Sequence, residues 1–147
     1  MSSPFNDIYI KLKKDFPKLT PENSNITSPP SKKYNCIAWA AADNSRGWWP
    51  NKYGYWPPNI PREETLDAFI KAYSTLSYEK CSNSDYEEGY EKIAIYIKDG
   101  VPTHAARQLK SGLWTSKLGQ SFDIIHTFES LDGGTYGNAE VFMKRKV

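Results

Sequence analysis

Residues 93–118 read IAIYIKDGVPTHAARQLKSGLWTSKL, and this stretch decides the fold class. Its first isoleucines alternate with other residues, in the period of two that is typical of a β-strand. Two tripeptides, KDG at 98–100 and KSG at 110–112, supply turn residues. We therefore predict antiparallel strands over residues 93–97, 103–109 and 113–118.

Three helices are predicted before these strands. Residues 5–16 place apolar side chains near helical spacing, and Pro17 ends that helix. Residues 62–75 form a second amphipathic pattern. Between them, the apolar, alanine-rich run at 36–42 suits a buried helix, for which Asn35 is the predicted N-cap.

The order of elements indicates an α+β protein, with N-terminal helices packed on a small antiparallel β-meander. Residues 139–144 are predicted as a last strand. A length of 147 residues fits a single domain, 1–147. We divide it into an N-terminal helix with a Pro/Ser-rich loop at 1–33 and a core at 34–147.

Composition excludes several classes of protein. Nineteen basic against seventeen acidic residues leave a net charge of +2, which argues against a dedicated nucleic-acid binder. The apolar stretches are too short for a transmembrane helix. The N-terminus lacks the apolar region of a Sec signal peptide. We therefore expect no membrane or nucleic-acid partner and a cytoplasmic location, or export without a Sec signal.

Cys36 is the first candidate catalytic residue. If Asn35 caps the helix, Cys36 lies in its first turn, where the helix dipole favours a thiolate and lowers the thiol pKa. Such a thiolate is suited to nucleophilic catalysis. The alternative is a packed, unreactive thiol, since free cysteine is among the most buried residue types.

His104 is the candidate base, because a strand can present an imidazole to the start of a helix packed across the sheet. His126 is a second choice, and a half-exposed strand histidine without function is the alternative. A third group would orient His104. The candidates are Asp123, Gln108, Thr115 and Ser116.

A zinc site is not expected. Cys36, Cys81, His104 and His126 would make a Cys₂His₂ set, but none of them falls in a C-x₂-C or H-x₃-H pair. No glycine-rich phosphate loop is present either. We therefore predict neither a metal nor a cofactor.

Residues 46–61 form a loop rich in tryptophan, tyrosine and proline. Aromatic side chains of this kind can bind a substrate or a partner protein. The alternative is that the loop covers one edge of the core with its own aromatics. The candidate binding residues are Trp48, Trp49, Tyr55 and Trp56, with Tyr53 beside them.

The blocks NCIAWA at 35–40 and THAARQL at 103–109 resemble, in their layout, the papain-like cysteine hydrolases of the NlpC/P60 and CHAP type. Together with WTSKLG at 114–119, they also resemble a group of uncharacterised bacterial proteins. The papain-like resemblance implies that Cys36 is the nucleophile and His104 the base.

With Asp123 as the orienting group, such a protein would be a cysteine hydrolase or acyltransferase acting on an amide or a thioester. Its substrate would be a peptide, a protein or another amide. The alternative is a non-catalytic interaction module, toxin-neutralising or regulatory, that binds through the aromatic loop at residues 48–56. Cys36 and His104 would then be packing residues.

Overall fold

The computed structural model describes residues 4–147, and within them the chain forms three α-helices, one 3₁₀-helix and seven β-strands. The helices are α1 (Pro4–Asp15), α2 (Cys36–Ala40) and α3 (Leu66–Ser74), with the 3₁₀-helix at Phe128–Leu131. The strands are β1 (Ser24–Ser28), β2 (Glu79–Cys81), β3 (Tyr90–Lys98), β4 (Val101–Gln108), β5 (Trp114–Lys117), β6 (Asp123–His126) and β7 (Asn138–Lys146).

The seven strands form one antiparallel sheet in the order β1-β6-β5-β4-β3-β7-β2. The predicted meander is confirmed, since β3, β4 and β5 are successive neighbours. The last strand, β7, does not extend the meander but pairs with β3 on its other side. The α+β class is therefore right, whereas the sheet is larger than the small meander that was predicted.

Helices cover both faces of the sheet. On one face, which we call the α2 face, α2 and α3 pack against side chains that include Ile93, Ile95, Ala105 and Met143. On the opposite face, the α1 face, α1 and the 3₁₀-helix pack against Ala94, Tyr96, Ala106, Trp114 and Ile124. Successive residues of a strand alternate between these faces, as the pleat requires.

The N-cap of α2 is confirmed. The side-chain oxygen of Asn35 accepts a hydrogen bond from the backbone N–H of Ala38 at 3.1 Å. The helix ends at Ala40, two residues earlier than predicted, and Ala42 has a left-handed backbone with φ of 61°. α2 is therefore a single short turn held against the sheet by its own first residues.

The sheet opens between β4 and β5. These strands pair through Arg107 and Gln108 at one end of β4. If the pairing continued in the same register, Lys117 would face Ala105, but no such pair forms between these two described strands. The first half of β4 therefore leaves backbone groups on this edge for other partners.

Gly137 is a position at which a side chain would disrupt the fold. Its φ is +82°, and an added Cβ would lie 2.2 Å from the carbonyl oxygen of Ile97. Gly133 has a similar φ of +75° but open space around it. We expect Gly133→Ala to cost about 1 kcal/mol for the left-handed backbone. Gly137→Ala should cost about 3 kcal/mol, because the clash adds to that strain. If urea unfolding showed the same loss of unfolding free energy in both variants, it would contradict the close contact between Gly137 and the Ile97 carbonyl.

Candidate functional site

Cys36 occupies the first position of α2, as predicted. Its neighbour Asn35 also joins the aromatic loop to the helix. The Asn35 side chain accepts the N–H of Trp48 at 3.0 Å and donates to the carbonyl of Trp48 at 2.7 Å. The start of α2 and the aromatic loop are therefore fixed relative to each other.

The sulfur of Cys36 lies at the opening between β4 and β5. Its Sγ is 4.0 Å from the carbonyl oxygen of Thr103, and the backbone N–H of Ala105 is directed at it. The thiol therefore meets backbone groups that β5 leaves unpaired, as a weak donor and acceptor can. This contact gives Cys36 a structural role in closing the sheet.

The pKa of Cys36 moves in the opposite direction to the one predicted. Burial raises the pKa of this thiol to about 11. The N–H groups of Ala105 and Ile37 and the charge of Lys117 favour the thiolate and offset only part of this effect. The prediction of a lowered pKa was wrong because Cys36 is only 7% exposed, so desolvation outweighs the helix dipole. At neutral pH the thiol is protonated.

His104 lies on the α1 face, because its neighbour Ala105 packs on the α2 face and adjacent strand residues alternate. Its ring is fully buried and stacks on Tyr136, with centroids 4.1 Å apart. Its Nε2 lies 3.0 Å from Ser116 Oγ. The expected pairing is therefore not formed: in the described chain, neither ring nitrogen of His104 bonds to Cys36.

The hydrogen bonds around His126 assign both histidine tautomers. His126 Nδ1 lies 2.7 Å from the carbonyl of Thr127, which can only accept, so Nδ1 carries the proton. His126 Nε2 then accepts from the hydroxyl of Ser116 at 2.8 Å. Ser116 in turn accepts from His104 Nε2, which leaves the buried Nδ1 of His104 without a partner in the described structure.

Both histidines are neutral in this network. Burial lowers the pKa of His126 to about 4 and holds the pKa of His104 well below its usual value. The nearby His126 lowers the pKa of His104 further. The second choice of base, His126, also lies on the α1 face, because Ile124, two residues earlier on β6, packs there.

Four residues were candidates for orienting His104, and Ser116 is the one that contacts its ring. The other three point elsewhere. Thr115 accepts the indole N–H of Trp39, and Gln108 donates to the carbonyl of Ser84. Asp123 accepts the hydroxyl of Tyr34.

Lys117 is a functional candidate that the sequence pattern did not indicate. It is fully buried on the α2 face, where its ammonium donates to the carbonyl of Ser121 and lies 5.1 Å from the centre of the Tyr34 ring. Burial lowers its pKa, while the charge of Asp123 acts to raise it. A lysine in a strand usually faces solvent, so the letters WTSKL gave no sign of this burial.

Asp123 lies next to Lys117 on the neighbouring strand and is also fully buried. Its Oδ2 accepts the hydroxyl of Tyr34 at 2.5 Å, and its Oδ1 has no hydrogen-bond partner within the described chain. Burial and this bond raise the pKa of Tyr34 to about 12. We call Tyr34, Cys36, Lys117 and Asp123 the thiol cluster.

The thiol cluster is a candidate functional site on electrostatic grounds. Burying a lysine and an aspartate costs free energy that an apolar pair would not require. Titratable groups gathered in this way are also more common at functional sites than elsewhere. Lys117 and Asp123 pair at the β5–β6 turn, and the ammonium of Lys117 bonds to Ser121 within that turn.

The predicted aromatic surface is only partly available for binding. Trp48 is 4% exposed and Trp56 is 2% exposed, and both belong to the core of the α2 face. These two side chains therefore cover the core, as the alternative interpretation of the loop predicted. Trp49 and Tyr55 are half-buried. Tyr53 is 89% exposed at the tip of the loop.

A groove of about 780 Å³ lies beside this loop and reaches Asn35. Its lining includes Lys32, Lys33 and Arg46 and contains no acidic residue. Trp49, Tyr53 and Tyr55 supply aromatic surface. We call it the cationic groove.

Within the described residues, no three His, Cys, Asp or Glu side chains lie close enough to hold a metal ion. In the same part of the chain, no helix combines the length and the apolar character needed to cross a membrane.

Comparison with known proteins gives one match. A family model described as a domain of unknown function, DUF7689, matches residues 25–144. No curated protein and no solved structure matches the chain.

Proposed function

The chain belongs to the DUF7689 family, and from its geometry we propose that it is a non-catalytic interaction module that binds a partner through the cationic groove. The observation that carries the proposal is the contrast between two sites. The groove is open and has aromatic and charged walls. The thiol of Cys36 is sealed, protonated and separated by the sheet from His104.

The groove has the dimensions and the rigidity of a binding site. Its volume lies in the range of clefts that hold drug-sized ligands or a few residues of a peptide. The loop beside it is fixed by Asn35 and by the backbone bond from Trp49 N–H to the carbonyl of Tyr55 at 2.9 Å. A preformed loop loses little conformational freedom on binding, which favours affinity.

A peptide library tests the proposal. We expect random 12-residue peptides panned on the protein to yield binders whose affinity falls when exposed Tyr53 is replaced by alanine. Tyr86, which is 45% exposed and far from the groove lining, gives the matched control Tyr86→Ala. Binders that respond equally to both substitutions, or none at all, would contradict a binding role for the groove.

The second candidate function is the cysteine hydrolase or acyltransferase of papain-like layout. One observation favours it: the N–H groups of Ile37 and Ala105 and the charge of Lys117 all stabilise negative charge on the Cys36 sulfur. Such groups can also stabilise an oxyanion formed when a thiolate attacks a carbonyl. In this candidate, Lys117 would take the place of the base on the α2 face, since His104 lies behind the sheet.

Alkylation by iodoacetamide at pH 5–9 distinguishes the two candidates. We expect Cys36 to react more slowly than the half-buried Cys81, because burial hides its sulfur and raises its pKa to about 11. Mass spectrometry of the two cysteine peptides gives both rates in one sample. Faster labelling of Cys36 than of Cys81, slowed by Lys117→Met or His104→Ala, would instead support the hydrolase.

A further inference from the structure

Arg46 lines the cationic groove, and its guanidinium is held in place by two neighbours. Its guanidinium carbon lies 3.5 Å from the centre of the Tyr55 ring, and its Nε bonds to Asp43 at 3.2 Å. Neither terminal nitrogen of this guanidinium has an acceptor in the described structure. The side chain is thus fixed by ring and carboxylate while its forked end faces outward.

Asp43 holds Arg46 in place through an ion pair and offsets part of its charge. Burial would raise its pKa, but hydrogen bonds from Ser45, Trp48 and Arg46 outweigh this effect and lower the pKa to about 2. The Asp43 carboxylate accepts the indole N–H of Trp48 at 2.8 Å, which anchors it to the core. Asp43 does not itself line the groove.

The residues that line the groove around Arg46 carry positive charge only, although Arg46 is also paired with Asp43 behind it. Lys32 and Lys33 are exposed on the wall of the groove, and no carboxylate lines it. Arg62, also near the loop, is occupied by the carbonyls of Asn51 and Gly54. The groove therefore offers a ligand the charges of Lys32 and Lys33 together with the two terminal nitrogens of Arg46.

We propose that the cationic groove binds an acidic peptide segment of a partner protein, with a carboxylate of that segment held by the fork of Arg46. The inference rests on the proposed function and specifies its ligand. A guanidinium fixed in this way matches a carboxylate through two parallel hydrogen bonds. Tyr53 offers an exposed ring beside it for an apolar side chain of the same segment.

A peptide fits the observations better than a nucleic acid. Phosphate backbones are bound by extended basic surfaces, and the net charge of this chain is only +2. The groove has only three cations in its lining, Lys32, Lys33 and Arg46, so it suits a short segment with a few carboxylates.

Fluorescence anisotropy with defined probes tests the ligand class. The probes are a fluorescein-labelled decapeptide of alternating Glu and Ala, the same peptide with Gln for Glu, and a labelled ten-nucleotide oligothymidine. We expect the Glu peptide to bind at least tenfold more tightly than the other two, and more weakly as salt is raised. Equal binding of the Gln peptide, or tighter binding of the oligothymidine, would overturn the proposal.

Variants locate the binding at Arg46. We expect Arg46→Gln to weaken the Glu peptide about tenfold and Arg46→Lys to recover only part of the loss, because lysine keeps the charge without the fork. Lys98→Gln, at an exposed lysine at the end of β3, should leave binding unchanged. Equal loss from Lys98→Gln would contradict the site. If the library peptides require Tyr53 but carry no acidic residue, the inference fails while the proposed function stands.

Discussion

Replacing Lys117 by methionine is expected to destabilise the protein by about 3 kcal/mol, the lower end of the cost of breaking a buried ion pair, because the ammonium of Lys117 acts on the Asp123 carboxylate without a direct ion-pair contact. Methionine can occupy the space of the lysine stem, but it removes the cation beside Asp123. The Asp123 carboxylate would then be buried with the hydroxyl of Tyr34 as its hydrogen-bond donor and with its Oδ1 still unpaired. Desolvating an uncompensated charge is the main term in this loss.

A second substitution distinguishes the charge effect from lost packing. We expect Lys117→Met combined with Asp123→Asn to be more stable than Lys117→Met alone, with a coupling of about 1–3 kcal/mol. Asparagine keeps an acceptor for the Tyr34 hydroxyl and has no charge to desolvate. The free energies come from urea unfolding. They are compared between variants whose unfolding free energy falls with urea concentration at the same slope.

Lys80 supplies the control for substituting a strand lysine. It is exposed on β2, so Lys80→Met should change stability by less than about 0.5 kcal/mol. A loss at Lys117 no larger than the loss at Lys80, or a double variant as unstable as the sum of the singles, would show that the buried charges are not coupled.

The sequence pattern indicated the centre of the sheet better than its edges. The meander of β3, β4 and β5 follows from alternation and turn residues that lie close together in the chain. β1 and β2 are short, polar strands, so they carry little of that pattern. The place of β7 beside β3 depends on a long-range pairing that no local spacing encodes.

The face of His104 could not be predicted from β4. A strand reveals its buried face by alternating apolar and polar residues, and a shift of one position exchanges the faces. In THAARQL, small and polar residues fall on both faces, and both faces are covered by helices. The sequence therefore placed Cys36 correctly at the helix start but could not show that His104 points away from it.

Acidification gives the second large effect that we expect. Between pH 7 and pH 4, protonation linked to His126 alone should remove about 3 kcal/mol of folding free energy, at about 1.4 kcal/mol for each unit of pKa change. Burial lowers the folded pKa of His126 to about 4. The unfolded chain therefore takes up protons first, from about pH 6.5 downward.

The sign of the effect follows from which state binds the proton. A histidine with a lowered folded pKa contributes its full stability above the unfolded pKa and loses it as the pH falls toward the folded value. His104, whose pKa is also lowered, adds to the loss over the same range. Asp43 acts below this window, since its folded pKa is about 2.

The hydrogen-bond network explains why neither ring can accept a proton in place. Ser116 already donates its hydroxyl to His126 Nε2 and accepts from His104 Nε2. A proton on His126 Nε2 would turn that acceptor into a donor and leave the Ser116 hydroxyl without a buried partner. A proton on His104 Nδ1 would meet no acceptor within the described chain.

Urea unfolding at pH 7, 6, 5 and 4.5 measures how the free energy of unfolding depends on pH. A histidine variant then shows how much of that dependence comes from His126. We expect His126→Gln to be less stable at pH 7 yet to show a shallower loss on acidification, because one titrating group is gone. The test compares the slope of the unfolding free energy against pH in the variant and the wild type, rather than their stabilities at one pH. In the folded wild type, the ring protons of both histidines should keep their NMR shifts down to about pH 5. Titration of either ring near pH 6.5 would mean that the buried His104–Ser116–His126 network does not form.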